Sequence, residues 1–141
     1  MLYDAVDDPS DRTPGELLAA DRRELASVVD AVGVEAVAAE SGVDRATLEA
    51  LRDDEPADLS VEEAAAVLST ADQFPDADAV VFELRDHLLM GMSSAVVDVD
   101  ALAADIEADL TGQEVQQALE GRTRFTLEQL AEIQAAIERR T

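Results

Sequence analysis

Along most of this chain, hydrophobic side chains recur every three or four residues, which is the repeat of an amphipathic helix. One stripe consists of Leu17, Leu18, Leu25, Val28, Val29 and Val32. Another consists of Val80, Val81, Leu84, Leu88, Met92 and Val96. No run of β-branched residues alternates with polar residues for long enough to indicate a sheet. The sequence therefore predicts an all-α fold, with a core of Leu, Val, Ile and Ala because only 3% of the residues are aromatic.

The starts and ends of the helices are also readable. Three positions carry the capping-box pattern, in which a hydroxyl residue is followed three places later by glutamate. These boxes are Thr13 with Glu16, Ser60 with Glu63, and Thr111 with Glu114. Asp44 is a further candidate N-cap, and glycines 33, 42 and 121 stand where helices should stop. Together the boundaries predict about eight helices.

The order of helices, caps and loops is repeated along the chain. Residues 34–40 (VEAVAAE) are nearly restated by residues 99–105 (VDALAAD). This duplication predicts two similar four-helix units with a helix-turn-helix layout, although chance similarity between two Ala- and Glu-rich segments is the alternative. We predict four parts: a mobile acidic segment at 1–13, a first unit at 14–71, a linker at 72–78 and a second unit at 79–141.

The chain is strongly acidic. It carries 33 acidic residues against 10 basic ones, all of them arginine, for a net charge of −23. Such a Lys-free acidic surface is typical of proteins from cells that hold molar salt. The alternative, an acidic tail or a nucleic-acid mimic, needs a contiguous acidic block that the sequence lacks. At about 1 M salt the Debye length falls to about 3 Å, so this charge does not exclude a DNA partner.

Catalytic and metal-binding patterns are missing from the sequence. There is no cysteine, and His87 is the only histidine, so we expect a partly buried or interfacial side chain there rather than a metal ligand. No glycine-rich phosphate loop or Ser/His/Asp set is present. We therefore expect no enzyme activity, no cofactor and no metal. The absence of a signal pattern and of a long apolar run predicts a cytoplasmic protein.

The segment TGQEVQQALEG, residues 111–121, resembles the recognition helix and following loop of the Cro/C1-type helix-turn-helix repressors. That family's pattern is Thr/Ser-Gln-x-x-(Ile/Val)-x-x-(Leu/Ile)-Glu-x-Gly-(Lys/Arg), and this chain lacks one residue between Leu119 and Gly121. It also lacks a turn glycine in residues 106–110, which puts the geometry of that turn in doubt. The resemblance implies a DNA-binding surface made of Gln113, Gln116, Gln117, Arg122 and Arg124.

Residue chemistry and local charge fit that surface. Glutamine can bond adenine, and arginine can bond guanine or phosphate. Residues 111–141 contain five acids and four arginines, a net of −1, which leaves −22 on the other 110 residues. The alternative is that the glutamines are ordinary solvated positions and that the arginines pair with nearby glutamates. The corresponding helix of the first unit exposes Arg45, Ala46, Glu49 and Arg52, followed by an acidic loop. We expect that unit to be structural or to bind a protein.

Two further segments, residues 85–92 (RDHLLMGM) and 114–122 (EVQQALEGR), resemble an uncharacterised family from halophilic archaea. That resemblance implies no activity. Two functions stay open: a DNA-binding transcriptional regulator acting through the second unit, or an interaction or scaffold module that keeps the fold without binding DNA. The corresponding partners are double-stranded DNA, another protein, or a second copy that contacts the apolar residues 88–92. No membrane partner is expected.

Overall fold

The computed structural model describes residues 1–4, 8–9, 12–107 and 109–140. Within them lie eight helices, which confirms the predicted all-α fold. They are α1 (Pro14–Val32), α2 (Val34–Ser41), α3 (Arg45–Arg52), α4 (Val61–Leu68), α5 (Ala77–Ala95), α6 (Val99–Asp105), α7 (Gly112–Leu119) and α8 (Leu127–Arg139). None of these helices is by itself long and apolar enough to cross a membrane. Only α5 and α6 together reach that length and composition, and they are bent by 93°.

The predicted capping boxes are formed. Thr13, Ser60 and Thr111 each accept a hydrogen bond from a backbone N–H three residues later, and the glutamate at that position bonds back. A fourth box, which the sequence analysis did not identify, joins Thr126 to Gln129 at the start of α8. Asp44 occupies the N-cap of α3 but makes no hydrogen bond there through its side chain.

The end of α5 differs from the prediction. We placed Val96 in the buried stripe of this helix, but its side chain is 90% exposed. The helix stops at Ala95, and Val96 takes a left-handed conformation with φ of 53° and ψ of 53°. Because the helical repeat breaks at this residue, its side chain leaves the stripe and points into solvent.

The eight helices share one hydrophobic cluster. It contains buried residues from every helix and continues from Leu2 to Ile137. In particular, α1 packs against α8 as well as α3 and α4, and α5 packs against both α4 and α8. At Gly91 a Cβ would lie 2.9 Å from Ile137 Cγ2, so the glycine in α5 lets α8 approach closely. The division into two units stays a prediction, while the core itself is continuous.

The segments that precede α4 and α8 pair with each other. Val61 N donates to the carbonyl of Phe125 at 2.9 Å, and Leu127 N donates to the carbonyl of Leu59 at 3.0 Å. Ser60 and Thr126 face each other in this antiparallel bridge. The predicted repeat also aligns residues 59–62 (LSVE) with residues 125–128 (FTLE), so a two-fold relation between the halves would place its axis here.

The first residues of the chain pack against the helices. Leu2 is 1% exposed, and its N–H donates to Glu24 Oε1 of α1 at 2.7 Å. Gln134 of α8 donates to the carbonyl of Tyr3 at 3.0 Å. The ring of Tyr3 stacks on His87 with a centroid distance of 4.5 Å. His87 is exposed overall, although Tyr3 covers one face of its ring. That it is a partly buried or interfacial side chain rather than a metal ligand stays a prediction. Of the segment predicted to be mobile, residues 5–7, 10 and 11 lie outside the described part.

Candidate nucleic-acid interface

Helix α7 lies at the edge of the molecule, where it contacts α6 and α5. Its buried side consists of Val115, Ala118 and Leu119. On the opposite side Gln113 and Gln116 are exposed, and Gln117 is half-buried between the two sides. The glutamine face is thus open to solvent, which is the condition that reading base edges in a major groove requires.

Glu120, at the C-terminal end of α7, holds two of the predicted DNA-binding side chains. Gln116 Nε2 donates to Glu120 Oε1 at 2.9 Å, and Arg122 Nε lies 3.2 Å from Glu120 Oε2. The pairing of Arg122 with Glu120 matches the alternative in which the arginines pair with nearby glutamates, whereas the bond from Gln116 to Glu120 was not predicted. A nucleic acid would have to compete with Glu120 for both groups.

Arg124 is exposed and sits directly before a buried anchor. The next residue, Phe125, is buried in the core, and its carbonyl accepts the hydrogen bond from Val61. The loop between α7 and α8 is thus held at its end, while Arg124 extends into solvent. This arrangement restricts where the guanidinium can lie. The guanidinium itself is not paired to a carboxylate at a hydrogen-bonding distance.

One arginine near this loop was missed by the sequence analysis. Arg85 belongs to α5, and its guanidinium covers Gly121, so that a Cβ at Gly121 would collide with it. Gly121 also has a positive φ of 79°. A cation at the C-terminus of α7 is favourable because the free carbonyl groups there carry partial negative charge. No local signal could have predicted this, since Arg85 and Gly121 are distant in the sequence.

The connection between α6 and α7 differs from that between α2 and α3. Residues 42–44 join α2 to α3, with Gly42 left-handed at a φ of 75°. The second connection, residues 106–111, is longer and has no glycine, and Ala108 within it lies outside the described residues. Here Gly112 permits the close approach, because a Cβ on it would collide with the carboxylate of Asp100 and lie 3.2 Å from Asp100 Cα.

The arginines of α3 are neutralised by neighbouring acids. Arg45 lies 2.5 Å from Glu35 and 3.3 Å from Glu49, and the hydrogen bond to Glu35 is the largest of the causes that raise its pKa. Arg52 pairs with Asp53 at 3.2 Å. The loop that follows exposes the carboxylates of Asp53, Asp54, Glu55 and Asp58. This surface would repel a phosphate backbone, and the expectation that the first unit is structural or binds a protein stays a prediction.

Other clefts offer no comparable chemistry. A groove of about 530 Å³ is lined by acidic and small residues, including Glu107, Asp109, Glu128 and Glu132. A cleft of about 690 Å³ between α1 and α3 mixes arginines with Asp30 and Asp54. Among the described residues, no group of three or more potential ligands is placed to hold a metal ion.

Comparison with known proteins gives a family without a known activity. Neither the curated proteins nor the solved structures contain a significant match to this chain. A family profile matches residues 17–140, which includes every helix except the first three residues of α1. The chain belongs to DUF5791, a family of unknown function.

Proposed function

We propose that this protein binds double-stranded DNA through the exposed face of α7 and the loop after it, as a transcriptional regulator of the helix-turn-helix type in the cytoplasm of a halophilic cell. The observation that carries the proposal is the exposure of Gln113 and Gln116, three residues apart on one helix face. A glutamine side chain offers both a donor and an acceptor, so it can bond the N6 and N7 edge of adenine.

The electrostatics of the region support an anionic partner. Residues 111–141 have a net charge of −1, against −22 for the rest of the chain. Arg122 and Arg124 are exposed beside the glutamine face, where they could contact phosphates. At molar salt the repulsion from the acidic remainder is screened over about 3 Å, so the local charges dominate at close range.

Glu120 provides a specific test of the proposal, because its carboxylate pairs with both Gln116 and Arg122. Replacing Glu120 by Gln removes a negative charge from the interface and releases Arg122 while leaving the size of the side chain almost unchanged. DNA affinity should therefore rise in this variant. The matched control is Glu128→Gln at the exposed start of α8, which should change affinity much less.

The experiment is the selection of bound duplexes from a random DNA pool at about 0.1 M and about 1 M KCl. We expect one enriched motif, which disappears when Gln113, Gln116 and Gln117 are changed to Ala. Arg124→Ala should weaken binding to all sequences alike and lower the salt slope by about one. Arg45→Ala in α3 is the control and should leave the motif and the affinity unchanged.

A second candidate is an interaction or scaffold module that keeps this fold without binding DNA. The pairing of Glu120 with Gln116 and Arg122 favours it, since those groups are already satisfied within the protein. If no duplex is enriched at either salt concentration while the circular dichroism shows a folded helical protein, DNA binding is rejected. A protein partner is then the remaining proposal.

A further inference from the structure

The first four residues of the chain lie across the helices as a short strap. We call these residues, 1–4 (MLYD), the N-terminal strap. Leu2 is 1% exposed, and its N–H donates to Glu24 Oε1 of α1 at 2.7 Å. The Met1 ammonium lies 3.1 Å from the other carboxylate oxygen of Glu24 and also pairs with Asp4. One side of the strap is therefore fixed to α1.

The other side of the strap covers polar residues that line a cleft between α5 and α8. The cleft has a volume of about 250 Å³, and His87 and Gln134 are among its lining residues. The ring of Tyr3 stacks on His87 with a centroid distance of 4.5 Å, and Gln134 Nε2 donates to the carbonyl of Tyr3 at 3.0 Å. Release of the strap would therefore uncover two polar side chains at this cleft.

The backbone of Leu2 stores strain that release of the strap would relieve. Its φ is 56°, in the left-handed region that leucine rarely adopts. Such a conformation persists only where the surrounding contacts hold it. Here the contacts are the burial of the Leu2 side chain and the hydrogen bond to Glu24. Because the strap is short, strained and held by few contacts, it can open without the unfolding of any helix.

Asp21 lies one helical turn from the anchor of the strap. It precedes Glu24 by three residues on α1, which places the two side chains next to each other on one helix face. Asp21 is 1% exposed, and its Oδ2 is buried without a hydrogen-bond partner. A buried carboxylate without a partner is very unfavourable, so this group stays protonated while the strap is closed. Its ionisation requires that water reach this face of α1.

The charges around Asp21 come from α1 and from the strap itself. Burial is the largest cause that raises the pKa of Asp21 to about 8, and the charges of Glu24 and Asp4 raise it as well, whereas the Met1 ammonium lowers it. Of the described residues, none on α2, α3, α4 or α8, which also pack against α1, contributes to this shift in pKa. Ionisation would place a third carboxylate beside Glu24 and Asp4, and the repulsion favours release of Asp4 with the strap.

Two more titratable groups face the strap from α5. His87 stacks on Tyr3, and the charge of Glu83 acts on Tyr3. Helix α8 contributes the uncharged Gln134 at this place. A test of the strap must therefore separate the titration of Asp21 from that of His87.

We propose that the N-terminal strap is a pH-operated lid at the α5–α8 cleft, closed while Asp21 is protonated and opened when Asp21 ionises. In the open state water reaches Asp21, which then has the ordinary aspartate pKa of about 3.9. The closed state binds the proton more tightly, so rising pH favours opening. The ratio of open to closed strap should rise about tenfold per pH unit and level off above about pH 8. The lid does not depend on DNA binding.

Tyrosine fluorescence measures the strap directly, since Tyr3 is the only tyrosine and the chain has no tryptophan. Burial, followed by the charge of Asp4, raises the pKa of Tyr3 above about 10, so its ring stays neutral up to about pH 9. The fluorescence anisotropy is high while the ring is docked and falls when the ring rotates freely. At about 1 M KCl we expect it to fall between about pH 7 and about pH 9, with unchanged far-UV circular dichroism. A constant anisotropy overturns the proposal, and so does a fall that accompanies loss of helix.

Three variants assign the titrating group. Asp21→Asn keeps the size of the side chain but cannot ionise, so the strap should stay closed over the whole pH range. Asp30→Asn removes an exposed carboxylate from the same helix and, as the matched control, should leave the fall unchanged. The fall should also persist in His87→Gln, which is needed because a histidine can change charge near neutral pH. A fall that survives Asp21→Asn, or one that disappears in His87→Gln, rules out Asp21 as the trigger.

Leu2→Ala tests the lid without changing Asp21 or any helix. Loss of this buried side chain should increase the ratio of open to closed strap by at least about thirtyfold. At about tenfold per pH unit, the fall in anisotropy should move down by about 1.5 pH units. Val115→Ala, which truncates an equally buried side chain in α7, should leave its midpoint in place. Equal midpoints for Leu2→Ala and the unmodified protein would contradict the proposal.

Discussion

Helices α3 and α7 hold the same place in the predicted repeat but present different surfaces. Each has eight residues, a buried aliphatic side and a hydrophilic outer side. In α3, Arg45 is paired to two carboxylates and is followed by an acidic loop, whereas α7 leaves Gln113 unpaired in solvent and is followed by Arg124. The comparison shows that the capping residues and the buried side chains determine where such a helix forms. The side chains on its outer face can differ and can serve another function.

The long helices α1 and α5 differ on their buried sides, whereas α3 and α7 differ on their exposed sides. Buried residues at intervals of four run through Leu17, Asp21, Leu25 and Val29 in α1, and through Val80, Leu84, Leu88 and Met92 in α5. Asp21 is thus an acid in an otherwise apolar row. It is 1% exposed, and its Oδ2 has no hydrogen-bond partner. Burial first, and then the charge of Glu24, raises its pKa to about 8.

Asp21 should produce the largest effect, a dependence of stability on pH. Between its unfolded pKa of about 3.9 and its folded pKa of about 8, the folded protein holds a proton that the unfolded chain releases. The contribution to the free energy of unfolding is therefore complete below about pH 4 and is lost as the pH rises through 8, by up to about 1.4 kcal/mol per pH unit. Urea unfolding at constant KCl measures it.

The matched variants for this prediction are Asp21→Asn and Asp86→Asn. The first removes the titrating group and should flatten the decline in stability between about pH 5 and about pH 8. The second removes an exposed carboxylate of α5 and should leave the decline in place. If the decline is the same in Asp21→Asn as in the unmodified protein, another group causes it and the contrast between α1 and α5 has no consequence for stability.

Truncating the cores of α3 and α7 asks whether the two halves are separate. Leu48→Ala should lower the free energy of unfolding by about 3 kcal/mol and Val115→Ala by about 2 kcal/mol, because each side chain is fully buried. Since both belong to one cluster, we expect a single unfolding transition in each variant. Hydrogen exchange should show lower protection in both halves. Two transitions, or a loss of protection confined to the half that carries the substitution, would favour independent units.

Local signals in the sequence predicted more of this fold than of its surface. The three capping boxes were predicted correctly because their partners lie only three residues apart. The exposure of Gln113 and Gln116 followed from the helical repeat. The pairing of Glu120 with Arg122, the placement of Arg85 over Gly121 and the burial of Asp21 could not be predicted, since each depends on side-chain geometry or on helices distant in the sequence.

Val96 illustrates the same limit at a single residue. The periodicity of α5 placed it in the buried stripe of a helix predicted to run to about Val97, and the end of the helix at Ala95 was enough to expose it. A periodic pattern gives the direction of a side chain only while the helix continues. The residue that the sequence predicted as core is thus the most exposed of the large hydrophobic residues described.

The smallest predicted effect compares the helix starts. Thr111→Ala removes the acceptor for Glu114 N, which lies at 3.2 Å, and should cost about 1 kcal/mol of stability. Asp44→Ala at the start of α3 should change the free energy of unfolding by only a few tenths of a kcal/mol, because Asp44 makes no capping hydrogen bond. Urea unfolding of both variants under one set of conditions measures the difference. Equal losses would mean that Asp44 also caps its helix in solution. The starts of α3 and α7 would then be equivalent, and the contrast between them would be confined to their outer faces.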